Sequence, residues 1–466
     1  MHDLTTGSLS RHLLKTTSFM LVTMIFQTLY FLIDLYWVGR LGTSAVAAVA
    51  IAGNLTFIVL ALTQMLGVGT TAVVSHAAGR KDRVAAQHLF NQAQVLSLVT
   101  GGAFLVIALA GLRWYSNAMS ADAETARLAR QYLWWFIPAM ALQFSLVAMG
   151  AALRAIGLFK PSMWVSTGTV VLNMVLAPFL IFGWGTGHAF GVAGAAMSSL
   201  VAIVVGLVWL ATYFLPKHAY IHFAFQDWKP RLDQWKKMLA IGLPAGFEFA
   251  IMAVYQVIVY TVARPFGAAA QAGFGIGMRV IQAGFMPVVA LGFSVAPVAG
   301  QNFGARIAER VKATFKDAAM LAAAGMAVFM IICMVSPGPI VRVFSKDPAV
   351  IAMSSEYLRI IAINFIPSGL IFVASSMFQA MGNTMPSLTA SAARITLIAV
   401  PVFILARLPG FQLRWVWYLS VAATFVQLVV ALLLLRREFK HRLRFAVVAP
   451  PAGVVVGPPA TEPAAS

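Results

Sequence analysis

Four charged side chains fall well inside long apolar runs of this sequence: Asp34, Glu248, Arg279 and Arg394. A carboxyl group in such a setting has little water to stabilise its charge, so it must hold a proton, a cation or a hydrogen-bonded partner. Asp34 does not stand alone. Thr23, Gln27, Tyr30 and Asp34 follow one another at spacings of four, three and four, which puts all four on one face of a helix. Met24, Ile25, Phe26, Phe31, Leu32 and Ile33 cover the rest of that helix. A polar stripe on an apolar helix points into a helix bundle, and its chemistry is reversible binding of a proton or small cation. The plainer reading of Asp34 is a structural buried hydrogen bond, and that of Glu248 is a pair with a nearby arginine. Asn173, in the middle of another apolar run, is expected to make a cleft or interhelical contact. Arg279 and Arg394 are each expected to snorkel toward an interface and act structurally.

The elements that hold these residues follow from composition. The chain has 466 residues, 61% hydrophobic and 10% charged, with a mean hydropathy of +0.86. Soluble domains carry about 25% charge, so this apolar excess must face lipid. Twelve runs are long enough to cross a bilayer as helices: 15–38, 45–74, 89–112, 131–153, 162–184, 190–214, 238–263, 270–299, 315–336, 356–381, 387–407 and 414–435. The polar stretch before the first run lacks a small-residue cleavage site, so that run is expected to remain as a helix. The single cysteine, Cys333, excludes an intrachain disulfide and any multi-cysteine metal site. The histidines are scattered without metal-ligand spacing, and no Gly-rich phosphate loop occurs, so ATP hydrolysis by this chain is not expected.

The formal charge of +19 has a topological meaning rather than a nucleic-acid one. With the N-terminus inside, the N-terminus, even-numbered loops and tail hold 21 of the 33 Lys and Arg. The positive-inside rule therefore predicts that both termini are cytoplasmic.

A shift of 225 residues aligns the chain with itself from about residue 14 to 162. Gly42 meets Gly267, Gly79 meets Gly304, Tyr30 meets Tyr255, Thr23 meets Glu248, Asp122 meets Asp347, and Pro161-Ser162 meets Pro386-Ser387. Six spans per repeat is an even number, so both halves enter the membrane in one direction. The expected fold is an all-α integral membrane protein of twelve transmembrane helices, in two six-helix lobes related by a pseudo-two-fold along the membrane normal. The expected parts are an N-lobe (1–214), a basic interlobe linker (215–237), a C-lobe (238–435) and a basic, then Pro/Ala-rich, disordered tail (436–466). A cleft between such lobes suits rocking between inward- and outward-open states.

Two families offer motifs. Gly79-Arg80-Lys81-Asp82-Arg83 is weakly similar to the loop after helix 2 of major facilitator transporters, but it is one residue short and lacks the following Gly-Arg-Arg. A closer likeness lies in LYFLIDLYWVGRLG (29–42), GVGTTAVVSHAAGRKD (67–82), IGLPAGFE (241–248) and APVAGQNFGA (296–305). Over residues 13–435 the chain resembles the multidrug and toxic compound extrusion (MATE) transporters. The resemblance implies a non-enzymatic secondary antiporter in a bacterial inner membrane, exporting lipophilic organic cations or amphipathic drugs in exchange for H⁺ or Na⁺. No cofactor or nucleic acid is implied, and a monomer is expected.

Carried over by position, the resemblance makes Asp34 the main proton and cation site, accompanied by Tyr30, Asn173, Ser199 and Glu248. Thr23, Gln27 and Tyr255 are assigned to the substrate cavity. Two departures matter. Ala177 stands where the family's helix 5 has an aspartate, which weakens a Na⁺ site, and Phe19 stands where helix 1 often has a proline. The preferred reading is H⁺ exchange. The alternatives are Na⁺ coupling and a lipid-linked saccharide flippase, which would favour a strongly cationic cleft.

Overall fold

The computed structural model describes residues 1–185 and 187–445; the expected disordered segment 446–466 lies outside the described residues. Twelve helices are long and apolar enough to cross a membrane, and no strand occurs among the described residues. The first half contains α1 (Leu9–Gly39), α2 (Thr43–Gly79), α3 (Arg83–Met119), α4 (Ala123–Ala155), α5 (Phe159–Phe182) and α6 (Val192–Thr212). The second contains α7 (Leu232–Ala263), α8 (Ala268–Gly304), α9 (Ala308–Val335), α10 (Pro337–Arg342), α11 (Pro348–Ile361), α12 (Phe365–Ala380), α13 (Met385–Leu405) and α14 (Leu413–Arg442). The tenth span is α11 and α12 together, joined through a 3₁₀ turn at Ala362–Asn364.

The repeat is visible in the helix ends. A shift of 225 carries both ends of α2 onto those of α8, and both ends of α4 onto the start of α11 and the end of α12. Lys81 and Arg306, one such pair, are the two non-glycine residues with positive φ among the described residues, at 57° and 59°. Asp122 and Asp347 are another pair; each caps its helix by accepting a backbone N–H, from Thr125 and Ala349 respectively, at 2.8 Å.

Where the halves differ, proline explains it. The first-half α3 runs unbroken, but its counterpart stops at Val335 and restarts as α10 because Ser336-Pro337-Gly338-Pro339 cannot continue a helix. Within the tenth span, Pro367 lacks the N–H that would bond the Ile363 carbonyl, and Ile363 is the middle residue of the 3₁₀ turn Ala362–Asn364.

The helices extend past the expected spans at several ends; the basic stretch 436–442 continues α14. The basic linker is ordered against α3. Asn91 Oδ1 accepts from the Ala224 N–H at 3.1 Å and the Trp228 indole at 3.0 Å, while Gln92 Oε1 accepts from the Arg231 N–H at 2.9 Å. Two apolar cores belong to the first half and one to the second, with an exchange at one end: Leu4, Leu9 and Leu13 pack into the second-half core, and Met238 of α7 into the first.

Candidate functional site

In the first half, three helices converge on one hydroxyl. Ser199 of α6 donates to its own helix at the Ala195 carbonyl, 3.2 Å away. Its oxygen is then an acceptor for Asn173 Nδ2 of α5 at 3.0 Å and for the Tyr30 hydroxyl of α1 at 3.1 Å. Tyr30 thus donates toward α6 and keeps its lone pairs free. One turn further along α1 lies Asp34, whose Oδ1 is shut from solvent and has no hydrogen-bond partner. Tyr132 of α4 is near enough to feel its charge. No Lys, Arg or His lies within 4 Å of Asp34 among the described residues. Ala177, one turn beyond Asn173, is buried and supplies no oxygen. The structure therefore brings together Tyr30, Asn173 and Ser199 in one hydrogen-bonded cluster, with Asp34 one turn further along α1.

The second half repeats the clamp. The Tyr255 hydroxyl of α7 lies 3.2 Å from Ser420 Oγ of α14, as Tyr30 lies against Ser199. Glu248, two turns earlier on α7, accepts from Ser375 of α12 at 3.3 Å and from Ser391 of α13 at 3.5 Å. Ser387 supports Ser375 at 2.8 Å, and Gln427 donates to Ser391 at 3.2 Å. Glu248 is held by hydroxyls, not by an arginine. It borders a cavity of about 310 Å³, walled by Phe285, Phe365, Phe372, Tyr255 and Tyr357.

The other expected cavity residues sit elsewhere. Thr23 is buried with its hydroxyl on the Phe19 carbonyl at 3.0 Å, Gln27 is exposed, and neither lines this cavity. Arg279 is exposed, as a snorkelling side chain would be. Arg394 departs from that expectation: it lines the cavity, with its guanidinium 5.2 Å from the Tyr255 ring centre. A sequence signal for it existed. Ser387, Ser391 and Arg394, at spacings of four and three, form the same kind of stripe that marks α1.

The halves meet tightly at one end. His76 Nε2 lies 2.6 Å from the Ala380 carbonyl, and Gln301 Nε2 donates to the Ala155 carbonyl at 2.8 Å. Both partners are repeat-related, His76 to Gln301 and Ala155 to Ala380, so this is one clasp made twice. Gly79 and Gly304 permit it: a Cβ on Gly79 would lie 1.9 Å from the Gln301 oxygen, and one on Gly304 2.2 Å from the His76 oxygen. The N-terminal segment adds a strap. His2 N–H donates to the Ile156 carbonyl at 2.9 Å in the first half, while Leu4 N–H donates to Gln301 Oε1 at 3.0 Å in the second. At the opposite end a Cβ on Gly42 or Gly267 would meet nothing within 4 Å.

Two repeat-related halves of six membrane-spanning helices each, clasped together at one end, have the architecture of a membrane transporter. The MatE family model matches residues 20–179 and 244–405, one segment in each half, and the chain belongs to that family of multidrug and toxic compound extrusion transporters. It is a transporter and not an enzyme. It is 26% identical over 409 residues to "Multidrug export protein MepA" of Staphylococcus haemolyticus, covering 87% of this chain and 88% of that protein. It is 24% identical over 406 residues to "FAD transporter" of Shewanella oneidensis, covering 86% and 89%. A solved MATE family transporter of the MOP superfamily, in an outward-facing conformation, superposes with a TM-score of 0.87 at 24% identity, over 95% of this chain and 98% of that one.

Proposed function

We propose that this chain is a proton-coupled antiporter that exports lipophilic organic cations, with Asp34 as the site where proton and cation compete. The observation that carries this reading is the partly buried Asp34 carboxylate, whose Oδ1 is shut from solvent without a partner one turn from the Tyr30–Ser199–Asn173 network. A carboxylate deprived of water and of protein cations is costly to leave bare. It must be neutralised by H⁺ or by an organic cation, and one displaces the other. Relatives of similar distance carry different cargo names, so the substrate is argued from the site. Acid-lined, aromatic surroundings favour amphipathic cations, and the single cavity arginine disfavours a polyanionic lipid-linked saccharide.

With both termini cytoplasmic, the clasped end is the cytoplasmic end, because the N-terminal strap lies there. A proton from outside reaches Asp34 and removes its attraction for the bound cation, which leaves. The neutral site lets the lobes rock, breaking the His76–Ala380 and Gln301–Ala155 clasp and releasing the strap. Inside, a fresh cation displaces the proton. Ala177 leaves a Na⁺ ion short of hard oxygen ligands, which favours H⁺.

The test uses everted vesicles holding a preset pH gradient, without sodium. Ethidium should drive proton release with the wild type and not with Asp34→Asn. Full release by Asp34→Asn would refute the assigned role, and ethidium uptake that needs a sodium gradient and releases no protons would make the coupling ion Na⁺.

A further inference from the structure

Arg394 is the tenth of the 21 residues of α13. At 1.5 Å per residue its Cα lies roughly 14 Å from one end of the helix and 17 Å from the other. A cation at that depth is expensive to bury, and this one has no compensating carboxylate. Its Nε is shut from solvent without an acceptor, and no described carboxylate lies within 4 Å of its guanidinium. Glu248, the acid in the same cavity, is engaged by Ser375 and Ser391. The Tyr255 face steers the guanidinium without neutralising it. Across the same cavity, at the 3₁₀ break in the tenth span, Asn364 Oδ1 is also buried and lacks a donor. One wall thus offers a planar five-donor fork with nothing to bind. A second point offers an acceptor with nothing to accept, and aromatic side chains line the same cavity.

We infer that Arg394 sets the ligand polarity of the C-half cavity, which takes a planar aromatic zwitterion, its anionic group on Arg394 and its cationic end toward Glu248. This refines the export reading by naming the class of cargo for this cavity. A guanidinium fork matches a carboxylate in two parallel hydrogen bonds, an interaction that a purely cationic compound cannot make. The spacing suits a fused-ring scaffold. Ser391, which reaches Glu248, and Arg394 are three residues apart on α13, and Glu248 and Tyr255 are seven apart on α7. The two charged groups are therefore separated by on the order of 5–10 Å along the helices. The cavity, about 310 Å³, is of a size for one such molecule.

A matched pair of dyes tests this: a rhodamine with a free carboxylate and its methyl ester, which differ only in the anion. Fluorescence polarisation with the full-length protein in nanodiscs reads binding directly. The wild type should bind the acid about tenfold or more tightly than the ester, since a charge-assisted hydrogen bond is stronger than a neutral one. Arg394→Gln should weaken the acid to within about twofold of the ester while leaving the ester nearly unchanged, and Arg394→Lys should retain part of the preference. Equal binding of acid and ester by the wild type would overturn the inference, as would an Arg394→Gln variant that weakens both dyes alike. Binding with the expected preference but no transport of either dye into everted vesicles would instead remove the export reading and leave this assignment standing.

Discussion

Replacing Gly79 with alanine should unlatch the clasped end. The added Cβ would lie 1.9 Å from the Gln301 carbonyl oxygen, 2.7 Å from its carbon and 2.9 Å from its Cα, all backbone atoms that no side-chain rotation can move away. Relief requires the two lobes to part by roughly 1 Å or more, to ordinary van der Waals distance. The same opening takes the His76–Ala380 contact from 2.6 Å and the Gln301–Ala155 bond from 2.8 Å to beyond hydrogen-bond range. Each loss strands a buried polar group at about 1–3 kcal/mol, so the pair is worth at least about 2 kcal/mol, or roughly 30-fold against the closed state. A gate closed about 99% of the time would then stand open in about a quarter of molecules. Val84 and Glu309, repeat-related and exposed, carry the reporters. Spin labels at Val84→Cys and Glu309→Cys, in a Cys333→Ala background, measure the distance across this end. The expected result is a second, longer-distance population in Gly79→Ala, and again in Gly304→Ala. An unchanged distance distribution in a folded Gly79→Ala protein would refute the reasoning that these glycines exist for lobe contact.

Deleting residues 2–7 removes the strap, including the buried Leu4 and its bond to Gln301; the same spin-label distance should lengthen, and an unaltered distance would show the strap to be passive. The strap also has a pH signature. Burial pushes the Asp3 carboxyl up, but the Thr5 hydroxyl and amide and the Lys81 ammonium outweigh it and hold the carboxyl below its usual range. Its stabilising contribution is therefore present above about pH 4. It fades as pH falls through the depressed value, which strap-end distances at pH 7 and pH 3 should reveal in the wild type and not in Asp3→Asn. Ser199→Ala strands two donors, Asn173 and Tyr30, whereas Ser420→Ala strands only Tyr255; thermal unfolding should drop more for the first, by about 1–3 kcal/mol per buried group. Glu248→Gln keeps an acceptor for only one of Ser375 and Ser391 and sets an NH2 donor against the other, so thermal stability should fall by about 1 kcal/mol while affinity for a cationic dye falls about tenfold, read by polarisation.

The twelve spans and the twofold repeat were legible because both rest on patterns that survive without contacts: uninterrupted apolar length, and turn residues recurring at one offset. Lys81 and Arg306, with matching positive φ, show how literally the repeat is built. Tyr30 and Asp34 stood out because Thr23, Gln27, Tyr30 and Asp34 break an otherwise apolar helix, and Tyr30 does bond across to Ser199. The stripe overstated its own unity, however. Thr23 bonds its own backbone and Gln27 is exposed, since periodicity gives a face but not which neighbour meets it. Arg394 was misplaced for a related reason. Its depth depends on where α13 starts, and its direction depends on Tyr255, a contact between residues far apart in sequence. The strap was illegible too: Leu4 is a single apolar residue in a polar leader, and only the assembled lobes create the place that buries it.

The most direct test of the central claim is to count protons when a cation binds. Purified protein in weakly buffered detergent solution with a pH indicator, titrated with ethidium at about pH 5, roughly one unit above the usual carboxyl range, should release up to one proton per ethidium bound in the wild type. Glu248→Gln should retain release, while Asp34→Asn, neutral at every pH, should bind ethidium more weakly and release no proton even at concentrations raised to occupy it. Proton release of the same size from Asp34→Asn would contradict the account, because the exchange would then occur at some other group.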